Sequence, residues 1–236
     1  AYSALLAVAC INYKADQTIV GTALNILGTA LATVLVKAIN MKLSGGDDVS
    51  STVQYVTAKQ SFVAYLGSFQ FNWFMVIAII ALVVAYVILY KTRFGLRMMA
   101  CGEHPQAAAS VGINVYKMRW SGVLISGAYG GLGGICFAYS IFAKYSSDYY
   151  VGYGFLAIAA LIFGNWNFMP TLAACFIFGF ARSLGYQAVQ WVGLPSAYSD
   201  LIMTLPYILT LILLIFFSKT NHAPHSLGVI YDKSER

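Results

Sequence analysis

This sequence is poor in charge. Asp, Glu, Lys and Arg together make 9% of its 236 residues, against about a quarter in an ordinary soluble domain, which argues against a water-facing globular protein. Cysteine and histidine are sparser still, with 4 and 3 residues, too few to read without attention to their spacing. Cys10, Cys101, Cys136 and Cys175 have no paired metal-type spacing and fall in apolar runs or in a positively charged connection, so they read as free thiols. His104, His222 and His225 lie in loops, and no metal site is expected. No G-x-x-x-x-G-K-[ST] occurs, so the chain does not carry a phosphate-binding loop of its own. No Ser/His/Asp set or carboxylate pair stands within an apolar run, which disfavours intramembrane enzyme chemistry. The net charge of +6 is not gathered into a basic face, and nucleic-acid binding is not expected.

What the chain has instead is apolar length. Hydrophobic residues make 60% of it and the mean hydropathy is +0.73. The run "FNWFMVIAIIALVVAYVILY", Phe71 to Tyr90, has Asn72 as its one strongly polar side chain and is long enough to cross a hydrocarbon core of about 30 Å. Strands of a membrane barrel alternate apolar and polar, and these runs do not. Backbone groups in lipid must be satisfied within the segment, so the runs predict helices. The expected fold is an all-α polytopic bundle. Apolar runs bounded by charge or turn residues place a truncated span at Ala1 to Asn12, then spans at Gln17 to Ile39, Phe71 to Tyr90, Trp120 to Phe142, Phe155 to Phe168, Thr171 to Trp191 and Leu201 to Phe217. The first run lacks Met, a basic flank and a cleavage site, and reads as a helix cut through its middle; an N-terminal part of the natural protein is expected to be missing. Asn40 to Gln70, containing "SGGDD", reads as a polar loop with an interfacial stretch around Tyr55 to Phe69.

Orientation follows from the basic residues. Lys91, Arg93, Arg97, Lys117 and Arg119 stand against Glu103 in the connection 91–119, whereas neighbouring connections have mixed charge, so 91–119 is expected on the cytoplasmic side. Counting spans onward puts the tail, 218–236, on the same side. Within the connection, Pro105 stands at a helix start, "QAAASV" favours helix, and Gly112 stands at its stop. A short helix of small side chains suits a groove on another protein; it equally suits a surface connector between two spans.

"QAAASVG", Gln106 to Gly112, resembles the E-A-A-x-x-x-G loop of permease subunits of bacterial ATP-binding-cassette importers, with Gln106 in the Glu place. The run "TRFGLRMMACGEHPQAAASVGINVYKMRW" followed by "SGAYGGLGG" is similar to the simple-sugar, branched-chain amino acid and nucleoside permeases, and most specifically to the nucleoside branch. The likeness continues through "GFLAIAALIFGNWNFMP", "LPYILTLI" and the tail "APHSLGVIYDK", covering essentially the whole chain. It departs in the absent N-terminal portion, in the missing distal part of the broader motif, and at Arg182, where an uncharged residue is expected.

The resemblance implies one translocation domain, 1–236, in a bacterial plasma (inner) membrane. Its implied cargo is a nucleoside, with a simple sugar as the alternative; a channel or passive carrier without an ATPase, or a membrane scaffold, are readings of another class. It implies a soluble ATPase subunit, a second related permease and an extracytoplasmic substrate-binding protein as partners. This chain is expected to bind no cofactor, ATP being used by the partner subunit. ATPase coupling falls to Glu103, Pro105, Gln106, Ala107, Ala108 and Gly112.

Two further patterns bear on mechanism. "DQTIVGTALNILGTAL", Asp16 to Leu31, and "YSDLIMTLPYILTLILL", Tyr198 to Leu214, share a polar turn leading into an apolar helix and run in opposite directions by the topology above, the pattern of an inverted-repeat transporter. Polar side chains inside spans are costly unless they face protein or water, so Thr22, Asn25, Asn165, Asn167 and Arg182 are the candidates for a substrate pathway; tying helices together, or for Arg182 reaching the interface, is the structural alternative. Gly127, Gly130, Gly131 and Gly134 make two G-x-x-x-G spacings and predict close helix packing.

On this reading Ala107→Trp and Ala108→Glu should each abolish ATPase association. The orientation predicts that a membrane-impermeant thiol reagent labels Cys101, with the other cysteines removed, in inside-out vesicles and not in intact cells.

Overall fold

The computed structural model describes residues 2–43, 53–54, 63–66, 69–140, 144–145, 153–192, 204, 208 and 223–231. Helix dominates them. The order is α1 (Tyr2–Ala7), continued by a π-helical turn (Val8–Asn12), α2 (Gln17–Leu43), β1 (Val53–Gln54), β2 (Val63–Leu66), β3 (Phe69–Asn72), α3 (Trp73–Lys91), α4 (Arg93–Glu103), α5 (Pro105–Ser110), α6 (Val115–Ser140), β4 (Lys144–Tyr145), α7 (Tyr153–Phe163) and α8 (Phe168–Val192). The strands form two short antiparallel ladders, β2 with β3 and β1 with β4. The chain divides into two units, residues 1–150 with 225–236, and residues 151–224.

Among the described residues three helices are long and apolar enough to cross a membrane: Gln17–Lys42, Trp73–Lys91 and Val115–Tyr139. Their large apolar side chains face outward. Ile19 is 70% exposed, Ile26 67% and Val34 63%, so α2 is apolar all round and has its solvent in lipid. Tyr2–Asn12, Tyr153–Phe163 and the apolar part of α8, Phe168–Ala181, are shorter. The 11 residues of α7 rise about 16 Å at 1.5 Å per residue, half of a hydrocarbon core. The span expected at Leu201 to Phe217, and with it the second half of the inverted repeat, lies outside the described residues except at Thr204 and Ile208.

Side-chain caps decide several helix starts, and some of these depart from the sequence expectations. Asp16 starts α2, its carboxylate accepting from the Thr18 and Ile19 amides at 2.8 and 3.1 Å. Asn72 stands before α3, not inside it. Its side-chain oxygen accepts from the Phe74 amide at 2.9 Å, and its side-chain nitrogen donates to the Tyr139 carbonyl on α6 at 3.1 Å. The helix expected from Trp120 begins at Val115, because Asn114 caps it by accepting from the Lys117 amide at 3.1 Å. Phe168 opens α8 instead of closing α7. The turn between them holds Asn165 and Trp166 at φ 51° and 59°, and Pro170 sits in the first turn of α8, where a missing N–H is harmless.

In the first unit α6 is the central post. α1 runs along it, with Ser3 filling the space that a Cβ on Gly127 would occupy. The Tyr2 hydroxyl donates to the Leu24 carbonyl on α2, and Trp120 Nε1 donates to Asn12 Oδ1 at 3.1 Å. On another side of α6 the Tyr129 hydroxyl donates to the Ala81 carbonyl of α3 at 3.1 Å, and the Phe74 and Tyr139 rings stack at 4.8 Å. In the second unit Ala160, Ala174 and Phe178 form the buried seam between α7 and α8.

The corner from α3 to α4 is closely packed. Thr92 serves both helices: its hydroxyl donates to the Ile88 carbonyl at 2.6 Å and accepts from the Gly95 amide at 3.2 Å. A Cβ at Gly95 would strike the carbonyl oxygens of Ile88 and Leu89. Gly95→Ala should therefore destabilise the permease by about 2 kcal/mol or more, as overpacking against backbone does, and lower its melting temperature in detergent; an unchanged melting temperature would mean that the corner is not closely packed.

Candidate coupling site and groove

The connection expected to face the cytoplasm is a packed miniature core, not an open loop. α4, read from sequence only as loop, brings Cys101 inward, and α5 brings Pro105 and Ala108. Cys101, Ala108, Val115 and Tyr231 form one buried cluster, with Ala109, Ile113, Tyr116 and Met118 against it. α5 ends in a Schellman motif: Ile113 N–H donates to the Ala108 carbonyl at 3.1 Å and Gly112 N–H to the Ala109 carbonyl at 3.0 Å. That geometry needs Gly112 at φ 84°, which glycine adopts without a steric penalty.

The six residues assigned to coupling thus separate. Gln106 and Ala107 are exposed on α5, together with Ser110 and the 75% exposed Val111. Pro105 and Ala108 face the protein's own core, so Ala108→Glu would break local packing instead of reporting on a docking surface. Glu103 meets the tail: its Oε2 accepts from the His225 amide at 3.5 Å, and its backbone carbonyl accepts from the Ser226 hydroxyl at 3.1 Å.

Sequence reasoning missed that the tail closes this core. Ser226 N–H donates to the Gly102 carbonyl at 3.1 Å, and the His104 and His225 rings stack at 5.6 Å. Gly228, at φ 76°, turns the chain so that Val229 N–H returns to the Ser226 carbonyl at 3.3 Å. Arg119 Nη1 then donates to the Val229 carbonyl at 2.9 Å, with its guanidinium carbon 5.8 Å from the centre of the Tyr231 ring. Tyr116 meets that ring edge-on at 5.3 Å, and Tyr231 is 7% exposed. A lone Tyr after Ser and Gly, beside Leu227, Val229 and Ile230 in a charged tail, was the available signal.

The pathway candidates fall in both units. On α2, Thr22 donates its hydroxyl to the Thr18 carbonyl at 2.8 Å. Asn25, one turn on, lines a groove of about 800 Å³ between α1, α2 and α6, as do Gly127, Gly131 and Gly134. Among the described residues, no neighbouring segment comes within contact distance of a Cβ placed at Gly130, Gly131 or Gly134, whereas one at Gly127 would meet Ser3. In the second unit Asn167 donates its side-chain amide to the Asn165 carbonyl at 3.2 Å, binding the turn between α7 and α8. Arg182 lies within α8, and its side chain is outside the described residues. Among the described residues no cluster of His, Cys, Asp or Glu could hold a metal ion.

Comparison with known proteins places this architecture. Residues 1–214 match the family described as branched-chain amino acid transport system / permease component. The chain belongs to that permease family, whose members are membrane components of transport systems that work with ATPase and substrate-binding partners and are not themselves enzymes. It is 36% identical to the nucleoside ABC transporter permease protein NupC of Lactococcus lactis subsp. cremoris, over 99% of this chain and 74% of the relative. It is 38% identical to the guanosine ABC transporter permease protein NupQ of Bacillus subtilis, over 100% of this chain and 75% of the relative. A putative glucose ABC transporter permease of Haloferax volcanii is 28% identical over 78% of this chain and 56% of the relative. No solved structure matches the chain at a significant level.

The buried environment changes the topology test. Cys101 is 4% exposed, and burial pushes its thiol above the ordinary value, an effect that the Arg119 guanidinium partly offsets. Less thiolate forms at neutral pH, and the thiolate is what reacts. Cys101 should therefore resist an impermeant maleimide even from the cytoplasmic side, and labelling should quicken as pH rises. The reporter is Val111: in a chain otherwise free of cysteine, Val111→Cys should label in inside-out vesicles and not in intact cells. Labelling in intact cells would reverse the orientation.

Proposed function

We propose that this chain is a nucleoside-translocating permease subunit of an ATP-driven importer in a bacterial plasma membrane, with connection 91–119 and the tail cytoplasmic. Similarity across this chain, and three quarters of theirs, to two permeases named for nucleoside and guanosine transport carries the cargo reading. The more distant glucose permease keeps a simple sugar as the second reading. A second related permease completes the path, an extracytoplasmic binding protein delivers cargo, and ATP is bound and hydrolysed by a separate subunit, so that this chain holds no cofactor.

Support for ATPase coupling comes from the way α5 is mounted. Gln106, Ala107, Ser110 and Val111 stand outward from a base of Cys101, Ala108 and Val115, between a membrane helix and its successor. Small side chains let the partner's surface approach closely, and the packed base transmits a push to α4 and α6. Of the pathway candidates, Asn25 lines the α1–α2–α6 groove and offers an amide to a ribose hydroxyl or a base edge. Thr22 has its hydroxyl on its own helix, and Asn165 and Asn167 hold a turn; Arg182 enters the proposal through its sequence position alone.

In vesicles with binding protein and ATP, the complete transporter should take up radiolabelled guanosine or adenosine, and excess ribose should not compete. Sugar uptake without nucleoside uptake would replace the cargo, and transport by this chain without an ATPase would replace the class. Ala107→Trp should leave the permease folded and reduce ATPase association and uptake at least tenfold, roughly the effect of a 1.4 kcal/mol loss at a packed interface; full association in this variant would make α5 a connector.

A further inference from the structure

The tail is the part of the first unit that returns from far along the sequence. Residues 225–231 dock on a surface made by α4, α5 and the start of α6, more than a hundred residues earlier. Three kinds of contact act together there. Ser226 binds two successive carbonyls, those of Gly102 and Glu103, at the point where α4 gives way to α5. Arg119, at the foot of α6, holds the Val229 carbonyl. Tyr231 closes the cluster of Cys101, Ala108 and Val115, one residue from each of the three helices.

We propose that segment His225–Tyr231 is a positioning clamp for α5, with Ser226 and Tyr231 as positioning residues that set the angle at which the coupling helix is presented. The physical case begins with α5 itself. Six residues make a helix of fewer than two turns, far below the length at which a helix holds itself together in water. Its orientation must come from what packs behind it. α4 and α6 support its two ends, and Tyr231 and Ser226 supply the remaining support. With the tail removed, Ala108 and Cys101 lose their cover, and the His104 to Pro105 junction is free to hinge. A helix that hinges yields under load, so ATP-driven movement of a docked partner would be absorbed at the junction instead of reaching α4 and α6.

This inference rests on the reading of α5 as the ATPase-coupling helix, and the experiment separates the two. In the complete reconstituted transporter with Cys101 as its single cysteine in this chain, maleimide labelling from the cytoplasmic side reports the clamp, and nucleoside uptake per ATP hydrolysed reports coupling. Tyr231→Ala should raise the Cys101 labelling rate by about tenfold or more, as loss of cover at a local opening does, and reduce uptake per ATP by a similar factor. Tyr231→Phe keeps the ring and should behave as the parent in both. Ser226→Ala, which removes one hydroxyl, should produce smaller changes in the same direction with the assembled complex intact, which guards against simple misfolding of Tyr231→Ala. Unchanged Cys101 labelling in Tyr231→Ala would overturn the clamp. Faster labelling with undiminished uptake per ATP would overturn the positioning role. Failure of the coupling reading shows elsewhere: Ala107→Trp would retain ATPase association whatever the tail variants do.

Discussion

A backbone carbonyl in lipid has no water to turn to, and this constraint organises the molecule. It makes the apolar runs helical, and it decides what the few polar side chains do. Thr22 and Thr33 return their hydroxyls to carbonyls one turn back, at 2.8 and 2.9 Å. Tyr129, Asn72 and Tyr2 do the same across helix boundaries, to Ala81, Tyr139 and Leu24. Such bonds are modest singly, yet between apolar surfaces in lipid they are among the few directional contacts available. Tyr129 and Asn72 tie α6 to α3 and its start, and Tyr2 ties α1 to α2.

At the water-facing end the logic inverts. Lipid no longer covers apolar surface, so the connection must build its own core, and it is too short to do so alone. Cys101, Ala108 and Val115 are one small residue each from three helices. The tyrosine that completes them arrives from the far end of the chain. The connection is thereby stabilised by burial in water, while the spans beside it are stabilised by packing and hydrogen bonds in lipid.

The contrast explains what was legible in the sequence. Membrane spans are written in runs of apolar residues, and Gln17, the core of α3 and the helix after Lys117 could be read directly. Ends were misjudged where one side chain decided them: Asn72 and Asn114 cap helices in sequence surroundings that look equally helical or equally loop-like. α4 was missed because its charges, Arg93 and Arg97, marked it as connection, though an amphipathic surface helix carries the same charges. The outward face of α5 was half legible. Composition revealed a short helix of small residues, but which alanines faced inward depended on Tyr231, more than a hundred residues away. Long-range closure by a chain terminus leaves no periodic trace, and neither does the groove beside Asn25, which depends on three helices meeting.

The corner at Thr92 has a mechanical consequence. Two helices joined by a flexible loop move independently, whereas α3 and α4 share one hydroxyl as the stop of the first and the start of the second, with Gly95 wedged against the carbonyls of Ile88 and Leu89. They form a bent lever with its fulcrum at the membrane surface. A sideways displacement of the short arm, α4, cannot be taken up at the elbow and becomes a tilt of the long arm, α3, whose far end is tethered to α6 through Asn72 and Tyr139. A displacement at the aqueous face is thus carried along α3 to its contact with α6 at the opposite end of the span.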